Sequence, residues 1–79
     1  MTVTGNKAQE IFDTLATDFN IYSVSYQYSE TTYCTNTVIT DREANIDNHY
    51  SEYKNVRYHN ISRAEAKSNL KKGMPLVIA

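Results

Sequence analysis

The sequence of 79 residues has no tryptophan, one proline, two glycines and a single cysteine. So little glycine and proline argues against a flexible or low-complexity linker, because those segments are rich in both residues. Cys34 has no second cysteine in this sequence with which to form a disulfide bond. We therefore expect a folded protein in a reducing compartment, the cytoplasm.

Long apolar segments are also missing. No apolar run reaches the length of a transmembrane helix, and the first residues, M-T-V-T-G-N-K, lack the apolar core of a signal peptide. We therefore expect no contact with a membrane.

The spacings that mark a metal site or an activated nucleophile are absent too. Cys34, His49 and His59 form neither a C-x-x-C nor an H-x-x-x-H pattern, and there is no glycine-rich phosphate loop. The sequence therefore predicts a protein that is not an enzyme and that holds neither a metal ion nor a cofactor.

Large apolar residues are scarce. The chain has three Leu, six Ile, five Val and two Phe against seven Tyr, with a net charge of −1. Low net charge and many aromatic rings favour a folded state, and we predict one domain over residues 1–79, a size at which a single core supplies only about 3–5 kcal/mol. Tyrosines must fill part of the core, or an interface must complete it, so a homo-oligomer is a possible assembly.

The first structural pattern is an amphipathic helix. Asn6 followed by Gln9 is a plausible helix start, and Asn20 can adopt the left-handed conformation that ends a helix. Between them, apolar residues recur at helical spacing, which predicts burial of Phe12, Leu15 and Phe19. The apolar positions are Ala8, Ile11, Phe12, Leu15, Ala16 and Phe19.

Three segments then have the features of β-strands. Residues 21–28 alternate between aromatic or β-branched and small polar side chains, and residues 33–40 form a second candidate strand. If Tyr28 opposes Tyr33 in a hairpin, Tyr22 opposes Ile39. Residues 41–53 favour a short helix, with a possible capping box at Thr40 and Glu43, over a loop that leads into a strand near Tyr50. Residues 54–60 form the third candidate strand.

The last part of the chain predicts a capped helix and a strand. Ser62 and Glu65 match a capping box, while Gly73 and Pro75 are placed to end the helix. The apolar run of residues 76–79 is typical of a strand covered on both faces. The predicted fold class is α+β: an N-terminal amphipathic helix packed on a small, mainly antiparallel sheet, followed by a second, basic helix and a terminal strand.

Charge is distributed unevenly along the chain. Residues 1–53 carry a net charge of −6 and residues 54–79 a net charge of +5. Arg63, Lys67 and Lys71 repeat at every fourth position and form a basic stripe on the second helix. Such like-charge neighbours destabilise a helix by about 0.2–0.5 kcal/mol per pair. We therefore expect the stripe to contact acidic groups, either in the acidic half of this chain or in a partner.

The segment Ser62-Arg63-Ala64-Glu65-Ala66-Lys67, after a helix and strands, resembles the end of a double-stranded-RNA-binding domain. In that family a Ser-Lys-Lys-x-x-Lys helix start binds phosphates across the groove of the duplex. The resemblance implies phosphate contacts for Arg63 and Lys67, which match two of the three basic positions, whereas Ala64 replaces the third. The family's Gly-Pro-x-His loop is absent, so its minor-groove contact is not implied.

These features lead to three functional hypotheses. The preferred one is a small non-enzymatic binding protein that inhibits a larger host protein or complex by occupying its surface, as phage and mobile-element anti-defence proteins such as anti-CRISPR proteins do. The alternatives are a nucleic-acid-binding module that uses the basic helix, and an oligomer that sequesters a nucleotide ligand between tyrosine and basic side chains. The candidate binding residues are Tyr53, Lys54, Arg57, Tyr58, Arg63, Lys67 and Lys71.

Overall fold

The computed structural model describes residues 1–15 and 19–79. In these residues the chain forms three helices and five strands. In chain order they are β1 (Thr2–Val3), α1 (Gly5–Leu15), β2 (Asn20–Ser29), β3 (Thr32–Thr40), α2 (Ala44–His49), β4 (Lys54–Asn60), α3 (Arg63–Lys71) and β5 (Leu76–Ile78). The predicted helical position Ala16 lies outside the described residues. None of the helices described is long and apolar enough to cross a membrane.

The five strands form one mixed sheet in the order β1-β5-β3-β2-β4. Strands β3 and β5 run parallel, while the other three neighbouring pairs are antiparallel. The predicted α+β class with a mainly antiparallel sheet is therefore confirmed. Strand β1 was not predicted; it pairs Thr2 with Val77 and Val3 with Leu76.

Helices cover the two faces of the sheet unequally. Adjacent residues of one strand point to opposite faces, and Leu76 and Val77 accordingly belong to two different apolar clusters. Helices α1 and α3 cover one face, which we call the helix-pair face, and the short helix α2 covers the other, which we call the α2 face. The buried cluster of the helix-pair face is Ala8, Phe12, Ile39, Ala66, Leu70 and Leu76. That of the α2 face is Tyr22, Val24, Tyr26, Val38, Ile46, Tyr50 and Val77.

Of the three side chains predicted to be buried, Phe12, Leu15 and Phe19, only Phe12 is fully buried. Leu15 and Phe19 are half-buried, because they pack at the margin of the helix-pair cluster rather than within it.

The predicted register of the β2–β3 hairpin is wrong by one residue over most of its length. Tyr33 pairs with Gln27 rather than Tyr28, and Tyr22 pairs with Val38. Ser29 still pairs with Thr32 at the tip, so the shift arises at Tyr28, an extra residue that forms a β-bulge. Because one residue of shift exchanges the two faces of a strand, Ile39 lies on the helix-pair face, away from Tyr22.

The ambiguous segment after β3 contains the short helix that the sequence favoured. Ile46 and Tyr50 anchor it in the α2-face cluster. The capping box considered for Thr40 and Glu43 does not form, because α2 begins after Glu43 and has no side-chain cap. The Thr40 hydroxyl instead accepts a hydrogen bond from Asn45 Nδ2 at 3.0 Å.

Helix α3 has both of its predicted ends. The Ser62 hydroxyl accepts a hydrogen bond from the Glu65 amide at 3.1 Å. Gly73, at φ 96°, closes a Schellman motif in which the Met74 amide donates to the Asn69 carbonyl oxygen at 3.1 Å. The strand that follows is covered on both faces, as its apolar run predicted: Leu76 and Val77 are both buried.

Strand β4 forms one edge of the sheet and is bulged. Ser25 pairs with Arg57 and Gln27 pairs with Lys54, so β4 has one residue more than β2 between these pairs. Asn55 lies in this bulge at φ 56°, the left-handed region that asparagine tolerates better than most residues. Its side-chain amide donates a hydrogen bond to Gln27 Oε1 at 2.6 Å.

Candidate binding surfaces

A column of tyrosine rings extends from the α2-face core to the surface. The ring centroid of Tyr26 lies 4.9 Å from that of Tyr50 and 4.6 Å from that of Tyr53. Tyr53 in turn stacks on Tyr28, with 6.3 Å between the centroids and 25° between the ring planes. The exposed fraction rises from 3% at Tyr50 and 9% at Tyr26 to 37% at Tyr53 and 64% at Tyr28. We call these four residues the tyrosine column.

One buried amide anchors the inner end of the column. Asn36 Nδ2 donates hydrogen bonds to the hydroxyl oxygens of Tyr26, at 3.3 Å, and Tyr50, at 3.0 Å. An unsatisfied buried amide would cost about 1–3 kcal/mol. The two hydrogen bonds avoid that cost and hold both rings in one orientation. Burial raises the pKa of Tyr26 and Tyr50 above the usual value, and the hydrogen bonds from Asn36 act in the opposite direction.

These raised pKa values predict a loss of stability in alkali. The folded chain retains the two protons to higher pH than the unfolded chain, whose tyrosines titrate near about pH 10. The stabilisation is therefore complete below pH ~10 and is lost as the pH rises through the folded-state pKa values. We expect urea midpoints to fall across this range, and to fall less steeply in Tyr50→Phe. Tyr33→Phe, at an exposed ring, is the matched control. If the urea midpoint fell equally steeply with pH in Tyr50→Phe and in the unchanged protein, Tyr50 would not be a source of the alkaline loss of stability.

The outer end of the column borders a half-open depression of about 340 Å³. The exposed rings of Tyr28 and Tyr53 form part of it, and its charged groups are of both signs. The lining residues are Gln27, Tyr28, Ser29, Glu30, Glu52, Tyr53 and Lys54. Exposed aromatic rings surrounded by mixed charge are typical of protein–protein interfaces, whose cores are enriched in tyrosine and whose rims are polar.

The structure divides the predicted binding residues between the two faces. Tyr53 and Lys54 line the depression beside the column. Tyr58 packs edge-to-face on Tyr22, with 5.8 Å between the ring centroids. Arg57 points to the opposite side of β4 from Tyr58, because adjacent strand residues alternate. The predicted set is therefore not one continuous surface.

The basic stripe of α3 contacts α1. Lys67 Nζ lies 3.0 Å from Asp13 Oδ1, and both side chains are about half exposed. The Arg63 guanidinium lies over the Phe12 ring, 5.4 Å from its centroid, and its Nη2 donates to the Asp13 carbonyl oxygen at 3.4 Å. An exposed ion pair of this kind contributes about 0.2–1 kcal/mol. Two of the three stripe residues thus have partners in the acidic half of the chain, while Lys71 is exposed.

The same contacts bear on the resemblance to double-stranded-RNA-binding domains. Arg63 and Lys67, the positions implied to bind phosphates, are the side chains that contact Asp13. Beyond α3 the chain adds β5, which lies between β1 and β3 in the sheet.

Sequence reasoning did not identify two residues that are important for the tyrosine column, Asn36 and Tyr28. Asn36 shares a strand face with Val38, but the predicted register placed that face away from the tyrosines, and the sequence gives no sign that Asn36 bonds two of them. Tyr28 owes its position to the bulge, for which no glycine or turn motif gave a signal. Compared with protein-family models, curated proteins and solved structures, the chain matches none of them. The surface chemistry therefore carries the functional argument.

Proposed function

We propose that this chain is a non-enzymatic binding protein that occupies the surface of a larger protein through the outer end of the tyrosine column. One observation carries the proposal. The exposed ring of Tyr28 stacks on Tyr53, and Tyr53 packs on the buried ring of Tyr26, which Asn36 holds by a hydrogen bond.

Pre-organisation makes such rings effective in binding. Ordering a flexible side chain at an interface costs about 0.5–1.5 kcal/mol. Tyr53 is already packed on Tyr26 and Tyr50, so little of that cost remains when a partner binds. Tyrosine is also among the residues that most often dominate the binding energy of an interface.

Charge favours a protein partner over a nucleic acid at this surface. Two carboxylates, Glu30 and Glu52, and one ammonium group, Lys54, line the depression beside the rings. A polyanion would meet net repulsion there, whereas a protein surface can present charges of both signs. The alternative site on the basic helix is less favoured, because Arg63 and Lys67 already contact Asp13.

The identity of the partner stays a prediction. Small size, the absence of catalytic patterns and an ordered aromatic surface are consistent with an inhibitor of host machinery, including the anti-defence role expected for a phage or mobile-element protein. On this hypothesis the protein acts by covering a surface that its partner needs.

Capture from a bacterial lysate, with and without nuclease, tests the proposal. We expect a partner protein to be retained in both conditions and lost in the double variant Tyr28→Ala/Tyr53→Ala, because truncating a dominant interface residue weakens binding by about 2 kcal/mol or more. Tyr33→Ala is the control, since Tyr33 is as exposed as Tyr28 but lines a different depression. Melting curves should confirm that each variant is folded.

The captured protein is then purified and the interaction measured with it alone, with inhibition of its activity as the second readout. Capture that nuclease abolishes would favour the nucleic-acid alternative. Capture that survives the double variant but not Tyr33→Ala would place the interface elsewhere and overturn the assignment to the tyrosine column.

A further inference from the structure

The helix-pair face carries a second surface, where the β2–β3 hairpin and β4 lie side by side. Ser25 of β2 pairs with Thr35 of β3 on one side and with Arg57 of β4 on the other. Directly paired residues point to the same face, so these three side chains form a row across three strands. Tyr33 is two residues from Thr35, and His59 two residues from Arg57, so both share that face. We call this surface the open sheet face.

The open sheet face includes a half-open depression of about 620 Å³. This is within the range of about 300–1,000 Å³ that is usual for small-molecule sites. Its lining residues are Ser25, Tyr33, Asn55, Arg57 and His59. Among them are a guanidinium group, an imidazole and a phenol ring, and no carboxylate. The electrostatics of this lining therefore favour an anionic ligand.

Two groups of the depression are available to a ligand. The Tyr33 ring is 63% exposed, and in the described part of the chain no other ring stacks on it. Arg57 has no carboxylate within ion-pair distance among the described residues, unlike Lys67 with its contact to Asp13. A flat ring on β3 and a guanidinium on β4, the two strands that flank β2, match a ligand that joins a planar ring to an anion.

Polar groups near these two residues are fixed in place. Ser25 Oγ and Thr35 Oγ1 lie 3.0 Å apart and share a hydrogen bond. The Asn55 amide donates to Gln27 Oε1 and is held by the left-handed bulge of β4. Hydroxyl and amide groups of this kind can bond the sugar of a ligand that spans from Tyr33 to Arg57.

We propose that the open sheet face binds one nucleotide, with its base stacked on Tyr33 and its phosphate bound by Arg57 and His59. Base–aromatic stacking and Arg–phosphate hydrogen bonding are the interactions that proteins use for these two groups. A single ring and a single guanidinium fit one nucleotide unit. Binding a longer strand normally requires a series of rings along a basic groove, and the described lining offers one of each.

This inference goes beyond the proposed function and is independent of it, because the tyrosine column is on the α2 face. The test is a titration of the ¹⁵N-labelled protein followed by NMR, with the four nucleoside 5′-monophosphates as probes. For at least one of them we expect saturable shifts in β2, β3 and β4. The nucleoside without phosphate, and inorganic phosphate alone, should each bind at least about tenfold more weakly, because each lacks one of the two contacts.

Variants locate the site. Tyr33→Ala and Arg57→Gln should each weaken binding at least about tenfold, whereas Tyr33→Phe, which keeps the ring, should bind nearly as well as the unchanged protein. Lys7→Gln, on α1, and Lys72→Gln, just after α3, are exposed controls that should leave nucleotide binding unchanged.

Three results would overturn the proposal. One is the absence of saturable shifts with all four nucleotides. Another is binding of inorganic phosphate as tight as that of the best nucleotide, which would indicate a simple anion site. The third is tighter binding of a single-stranded oligonucleotide that requires Arg63 and Lys67, which would indicate nucleic-acid binding by α3. The first two results are measured on the unchanged protein, so they do not depend on the variants folding.

Discussion

Replacing Phe12 with alanine is expected to lower the free energy of unfolding by about 3–5 kcal/mol. Phe12 is fully buried between α1, α3 and the sheet, in one cluster with Leu70 and Leu76. Its ring also underlies the Arg63 guanidinium, so the substitution removes that contact as well. A domain of this size has a total stability of about 3–5 kcal/mol from its core, and the variant should therefore be largely unfolded at room temperature. Urea unfolding followed by circular dichroism measures the effect.

Leu15→Ala is the matched comparison on the same helix. Leu15 is half-buried at the margin of the same cluster, so its truncation removes fewer contacts and should cost less than that of Phe12. A larger loss from Leu15→Ala than from Phe12→Ala would show that the core is centred further along α1 than described.

Removing residues 76–79 should abolish cooperative folding. Leu76 and Val77 are buried on opposite faces, and burial of each such side chain contributes about 1.5–3 kcal/mol. The deletion also removes the strand that pairs with β1, and it exposes the edge of β3. We expect loss of the thermal transition and exposure of apolar surface to a hydrophobic dye.

Two exposed residues of α3 supply the control for this deletion. Lys71→Gln and Lys72→Gln should melt within a few degrees of the unchanged protein, because surface substitutions usually change stability by no more than about 0.5 kcal/mol. A truncated chain that still melts cooperatively would contradict the central position of β5. Light scattering on the unchanged protein tests the predicted homo-oligomer. Of the apolar run, Leu76 and Val77 are already buried within its own fold.

Local patterns in the sequence were sufficient for much of this fold. The apolar arc of α1, the alternation of β2 and the Ser62 and Gly73 ends of α3 each depend on residues within a few positions of one another. The parallel pairing of β3 with β5 depends on residues almost 40 positions apart, such as Val38 and Val77. The two residues of β1 are too few to show any period.

The binding surfaces were harder to predict because they depend on which face each side chain occupies. Tyr53 and Lys54 were identified because aromatic and basic residues interleave in this part of the sequence. The bulge at Tyr28 shifts the hairpin register by one residue. Because of that shift, Tyr33 lies on the same face of the sheet as Ser25 and Arg57. The ion pair of Lys67 with Asp13 joins residues that are distant in the sequence, so a stripe that the sequence left open to external partners in fact contacts α1.

The bulge at Asn55 has a consequence for how partners are recognised. An unpaired edge strand normally invites another strand to add to it, but bulges and charged side chains discourage this. Edge strand β4 has both, and the opposite edge, β1, is only two residues long. Main-chain pairing is therefore a poor route for a partner, and recognition falls to side chains such as Tyr28 and Tyr33, which extend from paired strands. Exposed side chains of this kind can be exchanged at little cost to the fold, so single substitutions could redirect the protein to new partners while its architecture stays the same.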